Sequence, residues 1–318
     1  MTPSSETGPR HDASTGLGHG PDHEPDDRHD VAVEDGALAT FRYGAPGAPP
    51  ARTVLAVHGI TASSRAWSAV ARSLPDDWAL VAVDLRGRGA SRDLPGPTGL
   101  DRHVADLRAV VRSLDPEGSG DLVLLGHSMG AYVGLLLAAD SPDAFARVVL
   151  VDGAVPLPVP AGADPDAVLE ATLGPALARL SQTFPDDDAY VDVFRAHPAL
   201  APHWNDDVET YARYDALTTD AGVRSRAVED AVRADGRDLL VLGERLDAAL
   251  RGLRTPTTLL VAPLGMFGEA PGLLPAEAVA AYDAEVPALG VETLAGANHY
   301  TILFDPAAAR RVAAAVTG

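Results

Sequence analysis

The residues best equipped for chemistry lie in the stretch 122–131, Leu-Val-Leu-Leu-Gly-His-Ser-Met-Gly-Ala. It reads as a short apolar strand running into Gly126-His127-Ser128-Met129-Gly130 and then an apolar helix from Ala131 to Ala139. A Gly-x-Ser-x-Gly between a buried strand and a helix seats the serine on a sharp turn, with its hydroxyl lifted above the strand end. Glycines two positions to either side let strand and helix approach without Cβ clashes. The helix N-terminus behind the turn favours developing negative charge. The chemistry this serves is nucleophilic attack on a carbonyl, with Ser128 as the nucleophile. A serine hydroxyl is a weak nucleophile at neutral pH and needs an adjacent base. Out of context the motif is a structural turn; the strand before it and the helix after it give it chemical meaning.

The flanking sequence supplies the elements that must hold such a turn. Thr53–Val57, Ala79–Val83, Val148–Val151 and Thr257–Ala262 are short, continuous apolar runs. Between them lie helical stretches, one near Ser64 carrying Trp67, Val70 and Leu74, another at Leu100–Leu114 with Val104, Leu107, Val110, Val111 and Leu114 in a stripe. Alternation of this kind predicts an α/β fold with a mostly parallel, doubly wound sheet covered on both faces. Asp35-Gly36 between two apolar runs predicts an N-terminal hairpin, and a Gly/Pro-rich loop follows at 44–50. From Gly153 to about Thr255 the alternation stops. Helices are expected near 166–184, 187–195, 206–217, 225–234 and 239–250, with no strand among them. Strands resume at Thr257, Val291–Leu294 forms the last one, and Pro306 opens a terminal helix. The expected organisation is a disordered tail at 1–30, a core at 31–153 and 256–318, and a helical insertion at 154–255.

Bulk properties narrow the function. A chain of 318 residues with 46% hydrophobic content can bury one sizeable core plus an insertion. Its formal charge of −20, with arginine as the sole strong base, argues against nucleic acid and anionic membranes as partners. No apolar run is long enough for a spanning helix, and residues 1–30 lack the pattern of a signal peptide, so a cytoplasmic location is expected. Zero cysteines exclude disulfides and thiol catalysis. His11, His19, His23 and His29 make the tail histidine-rich, which is read as a solvated segment ahead of a metal site.

At this point the chain resembles the α/β-hydrolase superfamily over residues 31–318. Besides the Ser128 turn, residues 54–61 (VLAVHGIT), 84–91 (DLRGRGAS), 147–153 (RVVLVDG) and 298–304 (NHYTILF) look like further signatures of that family, in its order. The resemblance implies His299 as the base. The backbone N–H groups of Ile60 and Met129 would form the oxyanion hole, with His58 bracing its turn and Thr61 a possible added donor. Asp84, Arg86, Gly87 and Gly89 would fix a loop. The 154–255 insertion would be a cap over the nucleophile, and its Arg195, His197, Trp204, Tyr211 and Tyr214 are either cap core or cavity wall.

The acid departs from the usual pattern. The loop after Thr257–Ala262 carries no Asp, only Glu269. The other choice is Asp152, at the end of the strand after the nucleophile helix, and it is preferred over Glu269. Either carboxylate can orient the histidine and stabilise its cation. The reading implied is a capped serine hydrolase acting on a small to medium, fairly apolar acyl substrate (an ester, thioester or lactone) with no cofactor and no metal. A carbon–carbon bond hydrolase or perhydrolase, or a ligand-binding protein of the same fold, stands as the alternative. Epoxide hydrolases and dehalogenases are disfavoured because their nucleophile is Asp.

Overall fold

A computed structural model describes residues 27–44, 51–160 and 162–318. The strands are β1 (Asp27–Val33), β2 (Gly36–Tyr43), β3 (Arg52–Val57), β4 (Trp78–Val83), β5 (Leu122–His127), β6 (Phe145–Val151), β7 (Ala216–Thr219), β8 (Gly222–Ser225), β9 (Thr257–Val261) and β10 (Leu289–Thr293). The helices are α1 (Ser68–Ala71), α2 (Leu100–Leu114), α3 (Met129–Asp140), α4 (Pro165–Ser181), α5 (Asp187–Arg195), α6 (Asp206–Asp215), α7 (Glu229–Val241), α8 (Gly243–Arg251), α9 (Ala276–Glu285), α10 (Thr301–Phe304) and α11 (Pro306–Thr317).

Eight strands form one sheet in the order β1-β2-β4-β3-β5-β6-β9-β10. The hairpin expected at Asp35-Gly36 joins β1 to β2, and β2 runs antiparallel to β4. Every other pairing is parallel. Side chains alternate across the strands, and two cores result. Leu55, Val57, Leu124, Leu150 and Leu259 face one core with α2, α3 and α8. Val54, Ala56, Leu125, Val149 and Leu260 face the other with α11.

Register sets up the site. Val57 lies beside Gly126, and His127 lies beside Val151. The turns after β3, β5 and β6 therefore open side by side at one sheet edge, where ligands bind in α/β sheets.

Between β6 and β9 the chain leaves the eight-stranded sheet, and one expectation for this segment needs correction. Residues 216–219 and 222–225 pair as an antiparallel hairpin, β7–β8, in a region read as purely helical. Strands of four residues are too short to display a period-two pattern. Helix bounds shift too: α7 runs from Glu229 to Val241, across the gap expected between two helices. The first strand begins at Asp27, ahead of the boundary placed at residue 30, and takes in His29. The remaining tail histidines, His11, His19 and His23, and positions 45–50 of the expected Gly/Pro loop lie outside the described residues.

The insertion is tied to the sheet domain by side chains. Arg72 Nη1 and Nη2 donate to both carboxylate oxygens of Asp207 on α6, at 2.8 and 2.6 Å. Tyr214 at the end of α6 donates to Asp84 Oδ2 at 2.5 Å. On the far side, α7 sends Asp235 and Asp238 to accept the N–H groups of Gly99 and Leu100. No helix among the described residues is long and apolar enough to cross a membrane.

Candidate active site

Ser128 occupies the turn between β5 and α3 with φ 54° and ψ −125°. Positive φ is sterically unfavourable for a residue with a Cβ, so the surroundings must enforce it. They do so by close packing: a Cβ on Gly126 would lie 2.3 Å from the Gly130 carbonyl oxygen, and one on Gly130 would lie 2.0 Å from that of Val57. No side chain fits at either position. The Ser128 N–H donates to Val151 O at 2.9 Å, which locks the turn to the neighbouring strand.

Asp152 follows β6 and is fully buried, also at positive φ, 46°. Its Oδ1 accepts from the Ala262 N–H at 3.1 Å, and its Oδ2 pairs with His299 Nδ1 at 2.6 Å. His299 Nε2 lies 3.1 Å from Ser128 Oγ. Three residues separated by up to 171 positions thus form one chain of hydrogen bonds. Glu269 is elsewhere. It is exposed on the loop after β9, and His299 Nδ1 is already taken by Asp152.

The His299 turn is held by its neighbours. Asn298 Oδ1 accepts the N–H groups of Tyr300 and Thr301, both at 2.9 Å, and Asn298 Nδ2 donates to Ala199 O in the insertion at 2.8 Å. His127 Nε2 donates to His299 O at 2.9 Å. Burial first, then the neighbouring His299, hold the His127 ring well below the ordinary imidazole range, so it braces the turn as a neutral donor. From the sequence His127 is read only as a supporting residue beside the nucleophile, and the role of Asn298 is not read. Asn298 carried a local signal, since Asn side chains commonly cap the backbone two or three residues on.

Opposite His299 lies the turn after β3. A Cβ on Gly59 would come 3.2 Å from Ser128 Cβ, so this backbone passes directly over the serine. The N–H groups of Ile60 and Met129 have no hydrogen-bond partner among the described residues. His58 Nδ1 donates to Gly59 O at 2.7 Å while its Nε2 accepts the Leu85 N–H at 3.0 Å. In a trans peptide the C=O and N–H point in opposite directions. Holding Gly59 O on one side therefore turns the Ile60 N–H to the other. Burial lowers the His58 pKa to about 4, which keeps the ring in this neutral form.

The 84–91 loop completes the frame. Asp84 accepts the N–H groups of Ser64 and Ala90, each at 2.7 Å. Arg86 pairs with buried Asp106 through two nitrogens at 3.0 and 3.1 Å. Arg88, fully buried, donates from Nε to Ile60 O at 2.9 Å and pairs with Asp235 of α7 at 2.5 Å. His103 Nε2 meets the same carboxylate at 2.9 Å. Against the cost of burial, Arg88 and then His103 hold the Asp235 pKa down to about 2. Asp235 thus links an insertion helix to the turn that carries Ile60.

A cavity of about 280 Å³ opens above Ser128. Its walls include Leu157, Leu169, Leu173, Leu239, Tyr211 and Phe304, and no Asp, Glu or Arg side chain lines it among the described residues. Of the five insertion residues weighed from sequence, His197 and Tyr211 reach this wall. Tyr214 instead binds Asp84, and Arg195 pairs with Glu209, whose carboxylate also accepts from Trp204. No group of three or more His, Asp or Glu residues among the described residues has metal-binding geometry.

Residues 54–315 match the model of the alpha/beta hydrolase family. A 2-(acetamidomethylene)succinate hydrolase of Mesorhizobium japonicum is 30% identical over 257 residues, covering 80% of this chain and 83% of the relative. Lipase LipV of Mycobacterium tuberculosis is 43% identical over 120 residues, covering 38% of this chain and 43% of the lipase. The chain thus spans less than half the length of the first curated relatives it matches. Among solved structures, an E-2-(acetamidomethylene)succinate hydrolase superposes with a TM-score of 0.70 at 25% identity, over 92% of this chain and 98% of that one. The thioesterase domain from the curacin biosynthetic pathway also gives 0.70, at 23% identity, over 92% and 99%.

Proposed function

We propose that this chain, which belongs to the alpha/beta hydrolase family, is a serine hydrolase that cleaves small, uncharged, largely apolar esters or thioesters through an acyl-enzyme on Ser128. The observation that carries the reading is the Ser128–His299–Asp152 hydrogen-bonded chain beneath a cavity without charged walls. In the first half-reaction Ser128 Oγ attacks the carbonyl carbon and its proton passes to His299 Nε2. Asp152 holds the ring so that Nε2 is free to accept, and it stabilises the resulting cation. The oxyanion forms between the Ile60 and Met129 N–H groups. When the tetrahedral adduct collapses, the bond from carbonyl carbon to leaving-group oxygen or sulfur breaks, and that atom takes the proton from His299. Water then attacks the acyl-enzyme by the same route, releasing the acid and restoring Ser128.

The cavity walls bear on the substrate. Two relatives are named for substrates containing succinate or carbamate groups. A carboxylate leaving water is best compensated by a cationic partner, and no arginine lines this cavity among the described residues. A volume of about 280 Å³ sits near the lower end of small-molecule sites, roughly 300–1,000 Å³. Both features favour a small neutral substrate. The lack of an Asp on the loop after β9 favours a binding protein without turnover, whereas the hydrogen bond between Asp152 and His299 supports the hydrolase.

The test is hydrolysis of p-nitrophenyl esters of increasing acyl length by the wild type and by Ser128→Ala. The variant is expected to lose at least about 10³-fold in kcat, the scale of removing a nucleophile that acts as part of a unit. Equal turnover by both proteins, or none by either on any ester, overturns the reading.

A further inference from the structure

The cavity wall changes character from one side of Ser128 to the other. Leu157, Leu169, Leu173, Leu239, Leu240 and Leu273 belong to the core on the α2/α3 face of the sheet. Tyr211, Tyr300, Leu303 and Phe304 belong to the core on the α11 face. His197 joins this second group, stacked on Phe267 at 5.9 Å and set edge-on to Tyr300 at 5.2 Å between ring centroids. One half is thus mostly aliphatic, with Tyr132 its aromatic member, and the other mostly aromatic, with Leu303 an aliphatic member.

The aromatic half also carries unused hydrogen-bonding groups. The hydroxyls of Tyr211 and Tyr300 have no protein partner among the described residues, and both residues line the cavity. A hydroxyl with no protein partner on a cavity wall is free to bond a ligand, and a ligand that covers it must supply an acceptor or leave it unsatisfied. His197 Nδ1 accepts the Ala199 N–H at 3.3 Å, which leaves its proton on Nε2, also without a partner. Burial, and after it Arg179, lowers the His197 pKa, and burial raises those of both tyrosines. All three therefore stand as neutral donors.

Proton transfer decides which end of the substrate lies here. The leaving-group atom must come within hydrogen-bonding reach of His299 Nε2. The Tyr300 ring adjoins the His299 ring, with centroids 5.5 Å apart, so the leaving group lies toward Tyr300 and the acyl chain toward the leucines.

We infer that His197, Tyr211 and Tyr300 form a leaving-group subsite for an uncharged aromatic alcohol bearing hydrogen-bond acceptor oxygens, with the acyl chain held in the aliphatic half. This rests on the ester-hydrolase reading for its chemistry, and its geometry can be tested without turnover. The experiment compares kcat/KM for 4-acetylbenzyl, benzyl and cyclohexylmethyl butanoate, whose alcohols have similar acidity. The wild type is expected to prefer the 4-acetylbenzyl ester over the cyclohexylmethyl ester by about tenfold or more, with benzyl between them. Tyr211→Phe and Tyr300→Phe should each cut that ratio by roughly 3–10-fold, the scale of one neutral hydrogen bond. A wild-type ratio near one, or variants that slow all three esters alike, overturns the assignment. In parallel, calorimetry on Ser128→Ala should detect 4-acetylbenzyl alcohol binding more tightly than cyclohexylmethanol, and adding either Tyr→Phe change should shrink the difference. If no ester is hydrolysed but this preference holds, the hydrolase reading fails and the subsite stands. If esters are hydrolysed and the preference is absent, the subsite fails and the hydrolase reading stands.

Discussion

The strand-end turns and the insertion meet at Ser128 but are held in place by different forces. After β3, β5 and β6 the chain is confined by backbone against backbone: Gly130 has no room for a Cβ beside Val57 O, and Ser128 N–H is locked to Val151 O. The insertion rests on these turns through side chains, with Arg72 on Asp207, Tyr214 on Asp84 and Asp235 on Arg88. Backbone confinement allows almost no substitution. A side-chain tie can be exchanged one pair at a time. The position of Ser128 is thus fixed by backbone sterics, while the insertion above it is fixed by a small set of side-chain pairs.

The largest effect is expected at the acid. Asp152→Asn should leave the fold intact and reduce ester kcat by about 10⁴-fold, because the histidine tautomer and its cation are no longer supported. Glu269→Gln, on the exposed loop, should change kcat by less than about twofold. Steady-state kinetics on both variants checks this, and the reverse pattern would transfer the role to Glu269.

Next in size is the tie at Asp235. Breaking a buried charge pair costs about 3–5 kcal/mol, so Asp235→Asn should lower unfolding stability in urea by that scale. Because Arg88 also holds Ile60 O, its kcat should fall as well. A stability loss below about 1 kcal/mol would show that α7 is not clamped through this pair.

The strand-end turn should reveal itself in acid. His58 is kept neutral in the fold with a pKa of about 4, against 6.5 when unfolded. Above pH 6.5 neither state binds the proton and nothing is lost. As pH falls from 6.5 toward 4 the unfolded chain takes up a proton the folded chain refuses, so stability drops by roughly 3 kcal/mol and this contribution then levels off. His127 adds in the same direction. Urea titrations from pH 7 to 4 should show a flatter profile for His58→Gln than for the wild type. Smallest is Arg72→Ala, whose partly exposed pair with Asp207 should cost about 1 kcal/mol or less by the same measurement.

Much of this was legible in the residues themselves. Buried parallel strands announce themselves as continuous apolar runs, and Gly126-x-Ser128-x-Gly130 encodes a steric demand that neighbours in sequence must meet. The hairpin at Asp35-Gly36 and the helix opened by Pro306 were likewise local matters of backbone preference. The β7–β8 hairpin was not legible, because four-residue strands leave no periodic trace. Nor were the ties of Arg88 to Asp235 and of Asn298 to Ala199, which join positions about 100 or more residues apart.

The sequence by itself determined the sheet, the serine turn and a short set of candidate partners, because each depends on contacts within a few residues or on a repeating pattern of burial. Only the tertiary structure decided which carboxylate meets His299 and which insertion aromatics reach the cavity. Asp152 and Glu269 are equivalent as chemistry. What separates them is that β6 ends beside β5 while the loop after β9 turns its glutamate to solvent, and that is a property of strand order and register rather than of either residue.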